Sequence, residues 1–291
     1  MVRVTDMTHG RPIRLILLFS LPLMLGSVFQ QLYTIVDTII IGRGVGMQAL
    51  ASIGAADWIN WLVLGGLQGF TQGFAILAAQ EFGAGAYDRL RRVLAMIVKL
   101  SCWFGIAVTI ISLLLVRPLL TLLHTDPAVF GGAQTYLYVQ FGCSLIIIAY
   151  NMAAAVLRCL GDSRTPLFAI IAASFANIAL DLLFVMGFGW GIFGASFATV
   201  LAQLIAFLLC LRSLRRLPFV QLTKADWKTD PAILLHLCRL GIPTGLQMSM
   251  ITLGGMVLQS VLNGFGVVFV AGYTAANKLY GILESASVAF G

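Results

Sequence analysis

The sequence has few charged residues, and this scarcity excludes an ordinary soluble protein. Only 10% of its 291 residues are charged, whereas 60% are hydrophobic. A typical soluble domain has about 25% charged residues. A chain of this length that folded in water would need a polar surface, and this composition does not supply one. It is instead typical of a protein whose outer surface faces lipid.

The sequence also lacks the patterns of several common functional sites. Its five cysteines form no CxxC pair and lie in or beside apolar segments, so we interpret them as packing residues and not as a disulfide framework or metal site. Its three histidines are scattered and predict no metal cluster. No GxxxxGK motif is present, which argues against ATP as an energy source. We therefore predict that the protein is not an enzyme and has no cofactor.

Long apolar segments make up most of the chain. A membrane-spanning helix needs about 20 mostly apolar residues. Glycine and proline mark turns between such segments. We count eight segments, at residues 14–41, 47–80, 93–116, 131–157, 166–187, 191–211, 233–262 and 267–291. The sequence predicts an all-α integral membrane protein, a helix bundle that crosses the bilayer several times.

The basic residues predict how this bundle is oriented. Cytoplasmic loops of membrane proteins carry an excess of Lys and Arg. The loops on the side of the N-terminus hold nearly all of them, whereas the opposite side holds only Arg43 and Arg117. We predict a multi-pass protein of the cell (inner) membrane with a cytoplasmic N-terminus. The net charge of +7 then needs no nucleic acid, and the sequence indicates no protein partner.

An internal repeat predicts two lobes. The stretch LLFSLPLMLGSVFQQ at 17–31 resembles LCRLGIPTGLQMSMI at 237–251, with Pro22 aligned with Pro243. Six apolar segments precede the second copy, and an even number keeps the two copies in the same orientation. The predicted domains are a six-helix N-terminal lobe, a cytoplasmic linker and about two helices of an incomplete second lobe, at residues 1–212, 213–232 and 233–291. A complete eight-helix protein is the alternative.

Polar residues on several predicted helices fall at one membrane depth. At 1.5 Å per residue, they lie roughly 8–15 Å below the outer ends of their helices. Tyr33 shares a helix face with Asp37 because the two are four residues apart, and Tyr136 lies at a similar depth. The candidate cation-coupling residues are Asp37, Asn177, Asp181 and Thr199.

Acidic residues inside a membrane predict a functional site. A buried carboxylate costs several kcal/mol and is tolerated when it is paired, protonated or bound to a cation. Two carboxylates at one level resist ionisation, so Asp37 and Asp181 can share a proton near neutral pH. With an amide and a hydroxyl oxygen they can instead form an oxygen cage for Na⁺. The alternative is that each aspartate bonds a neighbouring helix independently.

Three further residues are weaker candidates. Asp57 and Gln68 lie within the second segment. They either line an aqueous cavity or make interhelical hydrogen bonds. Pro22 either marks the first turns of the first helix or bends it, because proline leaves the carbonyl four residues earlier without its partner.

Two long stretches carry a resemblance to a known family. LPLMLGSVFQQLYTIVDTIIIGRGVGMQALASIGAA resembles the first two helices of the multidrug and toxic compound extrusion (MATE) family. RCLGDSRTPLFAIIAASFANIALDLLFVMGFGWGIFGASFATVLAQ resembles its fourth loop through sixth helix. The resemblance implies a two-lobed cation antiporter. Its N-lobe ion site would map onto Asp37, Asn177, Asp181 and Thr199, with Tyr33 and Tyr136 nearby and Pro22 as the bending proline.

The resemblance also implies a function. We expect an antiporter, coupled to H⁺ or Na⁺, that exports lipophilic and cationic drugs and toxic compounds across the cell membrane. The predicted seventh helix has no acidic residue, so a second cation site there is unsupported. One alternative is a lipid-linked oligosaccharide flippase of the same superfamily, although such proteins tend to line their cavity with arginines and here nearly all arginines lie in loops. Another is an inactive truncated membrane protein.

Overall fold

The computed structural model describes residues 12–263 and Tyr280, and in this part the chain forms helices and no strands. The all-α prediction is therefore confirmed. The helices are α1 (Pro12–Gly44), α2 (Met47–Gly83), α3 (Tyr87–Leu122), α4 (Pro127–Gly142), α5 (Ser144–Cys159), α6 (Arg164–Asp181), α7 (Gly191–Leu214) and α8 (Pro231–Asn263). A π-helical segment, Leu182–Gly187, continues α6.

The described helices form a polytopic bundle, as predicted. Five of them (α1, α2, α3, α6 with its π-helical extension, and α7) are long and apolar enough to cross a membrane, and α4 with α5 adds a sixth candidate. The segment predicted as the seventh span forms α8, a helix of 33 residues. The predicted eighth span at 267–291 lies outside the described residues, apart from Tyr280.

The prediction of one helix over 131–157 was wrong. This segment is part of two helices, α4 and α5, which meet at an angle of 53°. The helix also begins earlier than predicted, because the Asp126 carboxylate accepts a hydrogen bond from the Ala128 amide at 2.8 Å and Pro127 occupies the first turn. Both features favour a helix start.

The third helix is longer than predicted at both ends. It begins at Tyr87, where an ion pair between Arg91 and Asp88 lies in its polar first turns. It continues through Pro118 to Leu122, since a proline in the last turns removes a single backbone hydrogen bond. Hydropathy located the membrane-embedded part of this helix but not its polar ends.

Helix α2 lies at the centre of the bundle and packs against α8, α3, α4 and α5. Its contact with α8 uses glycines on both helices. A Cβ atom on Gly73 would lie 2.6 Å from the Cα of Gly241, and one on Gly69 would lie 2.9 Å from the Cα of Gly245. Such close approach of backbones is typical of small-residue interfaces in membranes.

The segment between α7 and α8 is folded against the bundle. The Phe219 ring lies 5.6 Å from the rings of both Phe82 and Tyr87. The Asp226 carboxylate accepts hydrogen bonds from the Thr223 hydroxyl and amide, both at 2.7 Å. These bonds, led by that of the hydroxyl, hold the pKa of Asp226 below its ordinary value. The predicted linker is thus an ordered turn attached to α2 and α3.

Candidate functional site

Two aspartates meet where α1 packs against α6. Asp181 is the last residue of α6 and is 0% exposed, and Asn177, one turn earlier, is 1% exposed. Asp37 lies on the facing part of α1, and its carboxyl group interacts directly with that of Asp181. The structure therefore brings together Asp37 and Asp181, which the sequence analysis had placed at one membrane depth.

Several polar atoms of this cluster are buried without a hydrogen-bond partner among the described residues. They are Asp37 Oδ1, Asp181 Oδ1 and Oδ2, and Asn177 Oδ1 and Nδ2. The two carboxyl groups are close, yet no hydrogen bond of ordinary geometry joins them. A buried polar group left unpaired costs about 1–3 kcal/mol. An arrangement this costly is suited to a group that arrives later, such as a proton, a small cation or water.

The backbone changes its helical geometry directly after Asp181. Residues Leu182–Gly187 form a π-helix, and the π-helical segment ends next to Phe188, whose amide donates to the Leu183 carbonyl at 2.9 Å. Short π-helical segments within helices are rare and frequent at functional sites. The acid at the end of α6 therefore borders a widened turn.

A cavity of about 50 Å³ lies between α1, α5, α6 and α7. Asp37 and Asp181 are not among the residues that line it, and each lies one helical turn beyond a residue that does. Three predicted site residues line it: Tyr33, Asn177 and Thr199. The Thr199 hydroxyl donates to the Ala195 carbonyl at 3.1 Å, so its oxygen keeps lone pairs for a ligand. A cavity of this size that several polar side chains line has room for water or a small cation.

Tyr136 and Asp57 extend the cluster to α4 and α2. Tyr136 lies within electrostatic range of Asp57, Asp37 and Tyr33. Asp57 lies within range of Asp37. Because α4 begins at Pro127, Tyr136 is ~14 Å along the helix, deeper than the predicted 8 Å. Neither residue is among those that line the described cavity.

Gln68 does not join this cluster. It follows Asp57 by eleven residues on α2, which places it ~16 Å nearer the other end of the helix. Its side chain is exposed, and it is not among the residues that line the described cavity. Of the predicted cavity-lining residues, Gln68 is thus the one that the structure separates from the aspartates.

Comparison with known proteins places these features in a family. The sequence model of the MatE family matches residues 22–183, which include Asp37, Asn177 and Asp181. The chain belongs to this family. Its members are transporters and not enzymes, so the prediction that the chain is not an enzyme is confirmed.

Named relatives and solved structures agree with this assignment. The MATE chain is 34% identical to the probable multidrug resistance protein YpnP and 28% identical to YoeA, both of Bacillus subtilis. These alignments cover 100% and 94% of the chain but 65% and 61% of the relatives. A MOP superfamily transporter from Pyrococcus furiosus matches with a TM-score of 0.89 at 26% identity, over 97% of this chain and 63% of that one. The chain thus spans less than two thirds of these proteins.

The structure of this MATE chain adds polar residues that the sequence analysis missed. The cavity is also lined by Gln203, Tyr150, Gln30 and Ser174. Gln203 Oε1 is buried without a partner in the described structure. Helical spacing could have predicted these residues, because Gln203 lies four residues after Thr199 and so shares its helix face. Gln30 and Ser174 similarly precede Tyr33 and Asn177 by one turn.

Pro22 lies inside α1, ten residues after the helix begins at Pro12. The interpretation that it marks the first turns is therefore wrong. The helix is continuous through it, although the carbonyl of Leu18 loses its usual backbone partner. Bending at this position remains a prediction for the MATE chain.

Proposed function

We propose that this chain contains the ion-coupling lobe of an antiporter that exports lipophilic, often cationic, compounds across the cell membrane in exchange for H⁺ or Na⁺. The observation that carries the proposal is the Asp37–Asp181 pair. Asp37 Oδ1 and both carboxylate oxygens of Asp181 are buried without a hydrogen-bond partner among the described residues, and Tyr33 and Asn177, each one helical turn away, line a cavity. The proposed lobe boundaries are 1–212 and 233–291, with the N-terminus in the cytoplasm.

The coupling step follows from electrostatics. Two carboxylates in contact inside a membrane cannot both remain charged without a counter-charge. A proton shared by Asp37 and Asp181, or a Na⁺ held by them with Asn177 and Thr199, neutralises the pair. This change removes the repulsion between the carboxylates of α1 and α6. Because Pro22 leaves the Leu18 carbonyl without its usual partner, α1 can bend there in response.

Helix α1 also has a surface suited to amphipathic substrates. Its exposed side chains include the polar Gln31 and Thr34 between the apolar Leu32 and Ile35. A wall of this kind contacts both the apolar body and the polar group of a lipophilic cation, and the nearby acids attract the charge. The multidrug names of the Bacillus relatives support this substrate class. The residues that line the described cavity include no arginine, which a flippase would need for a pyrophosphate.

Efflux of a fluorescent lipophilic cation from cells that express the complete gene product tests the proposal. Asp37→Asn and Asp181→Asn should each abolish efflux driven by an imposed ion gradient, because neither variant can take up and release the ion charge at the pair. Asp88→Asn is the matched control, since that side chain is 83% exposed on α3. Coupled efflux that survives both site substitutions would refute the ion-site assignment. Separate proton and sodium gradients identify the coupling ion.

A further inference from the structure

Basic residues at one end of the bundle fall into two groups. Arg89 pairs with Glu81 at 3.0 Å, and Arg91 pairs with Asp88 and Asp226. The second group is exposed and makes no ion pair with a described residue. It includes Arg92 and Arg239 and, in addition, four arginines that we name the arginine seam. The members of the seam are Arg164 at the start of α6 and Arg212, Arg215 and Arg216 at the end of α7.

The helices bring these arginines to one place. The Thr165 hydroxyl lies 3.3 Å from that of Ser213, so their neighbours Arg164 and Arg212 lie at the same junction. The neighbouring acid Asp162 makes no ion pair with the seam, and its carboxylate accepts hydrogen bonds from the Arg164 and Thr165 amides at 3.1 and 3.0 Å. The four seam arginines therefore exceed the one neighbouring carboxylate in charge, and none of them makes an ion pair with a described acid.

Exposed apolar side chains lie directly beside the seam on both helices. Phe168 follows Arg164 by one turn on α6 and is 67% exposed, and Leu208 precedes Arg212 by one turn on α7 and is 53% exposed. Residues four apart share a helix face. On each helix an exposed apolar side chain is thus followed by an unpaired arginine nearer the end of the bundle. A phospholipid has the same arrangement, with apolar acyl chains below a charged headgroup.

We propose that the arginine seam binds the headgroup of an anionic phospholipid whose acyl chains lie along Phe168 and Leu208. A guanidinium donates two parallel hydrogen bonds to a phosphate, and arginine is well suited to this planar contact. Anionic lipids attract basic side chains near the membrane surface. The inference does not depend on the proposed transport function.

Orientation in the membrane accounts for the number of these charges but not for their arrangement. The positive-inside bias depends on the total of Lys and Arg in the short loops. It is satisfied equally by paired arginines, such as Arg89, and by unpaired ones. The gathering of four unpaired arginines beside two exposed apolar side chains is the feature that a lipid headgroup explains.

The test is a titration of the detergent-solubilised chain with phosphatidylglycerol, in which native mass spectrometry follows the lipid-bound species. Wild-type chain should bind phosphatidylglycerol in preference to phosphatidylcholine with the same acyl chains. Arg212→Gln should weaken the phosphatidylglycerol complex about fivefold, because each basic residue near an anionic headgroup contributes about that factor to the affinity. The double variant Arg212→Gln with Arg216→Gln should weaken the complex further.

A matched double variant separates a local site from general charge. Arg89→Gln with Arg117→Gln removes the same net charge from two exposed arginines outside the seam and should leave phosphatidylglycerol binding unchanged. Equal weakening by the two double variants would overturn the proposal, because binding would then follow net charge alone. A wild-type chain without preference for phosphatidylglycerol over phosphatidylcholine would overturn it as well.

Discussion

Single residues at the candidate site lower the stability of the fold, and Asn177 is the clearest example. It is 1% exposed, and neither its oxygen nor its nitrogen has a hydrogen-bond partner among the described residues. Native proteins pair nearly all buried polar groups, so an unpaired one needs an explanation. Residues kept for function frequently reduce stability in this way.

This cost can be measured at Asn177. We expect Asn177→Leu, a replacement of similar size, to raise the free energy of unfolding by about 1–3 kcal/mol, because it removes unpaired buried polar atoms. The same substitution should impair ion-coupled efflux. Thermal unfolding in detergent measures the first effect and dye efflux the second.

Asn151 is the matched control, since its amide donates to the Ile147 carbonyl at 2.9 Å. Asn151→Leu removes a hydrogen bond that is already made and should not stabilise the protein. If Asn177→Leu instead destabilised the protein as a core substitution does, Asn177 would have a structural role.

Asp226 provides a pH-dependent prediction outside the membrane. Its lowered pKa means that the ionised form stabilises the turn between α7 and α8. This contribution is present above the unfolded-state pKa of about 3.9 and is lost as pH falls through the lower folded-state value. The protection factors of amides in the turn, taken relative to the intrinsic exchange rate at each pH, should therefore fall below about pH 4.

Asp226→Asn should remove this acid sensitivity. At neutral pH it should speed exchange of the same turn about tenfold, since it weakens hydrogen bonds to a charged group. Asp126→Asn, which alters an exposed carboxylate at the start of α4, is the control and should change neither quantity. An acid response that persists in Asp226→Asn would assign it to another group.

At the scale of elements, hydropathy and the glycines and prolines between segments predicted the membrane-embedded helices but not their ends. The ends of α1 and α2 lie within three residues of the predicted ones, because apolar runs and glycines coincide there. Helix α3 differed because its first turns are polar and its proline is tolerated. The break between α4 and α5 was missed because the sequence at Gly142 and Cys143 is apolar throughout and no charge or proline marks it.

The glycine contact between α2 and α8 makes an element-scale prediction. Gly73→Ala should destabilise the protein by about 1–3 kcal/mol, because the added methyl group overpacks the interface. Its Cβ would lie 2.6 Å from the Gly241 Cα and 2.8 Å from the Leu240 carbonyl oxygen, and neither backbone atom can move alone. Thermal unfolding in detergent measures the change.

Gly54→Ala on the same helix is the control. No atom lies within 4 Å of a Cβ built there, so alanine should stabilise the helix by up to ~1 kcal/mol. Equal effects of the two substitutions would show that α2 and α8 do not approach as closely as described.

At the scale of the whole molecule, the Asp37–Asp181 contact decides how the bent helix pair crosses the membrane. Asp37 lies ~10 Å from the end of α1 at Gly44, and Asp181 lies at the end of α6. If α4 and α5 together cross the membrane, these two helix ends lie on the same side. If they enter and leave on one side, α6 is inverted and its acid lies toward the opposite face of a hydrocarbon core about 30 Å thick.

The contact between the acids therefore favours one broken span, and labelling of single cysteines tests it. Six crossings place Lys228, before α8, on the side opposite Met47, at the start of α2, and five place them on the same side. In a variant without native cysteines, a membrane-impermeant thiol reagent should label Met47→Cys on intact cells. It should label Lys228→Cys only after permeabilisation, because we place that turn in the cytoplasm. Labelling of both positions on intact cells would show an odd number of crossings, and would separate the two aspartates by most of the membrane.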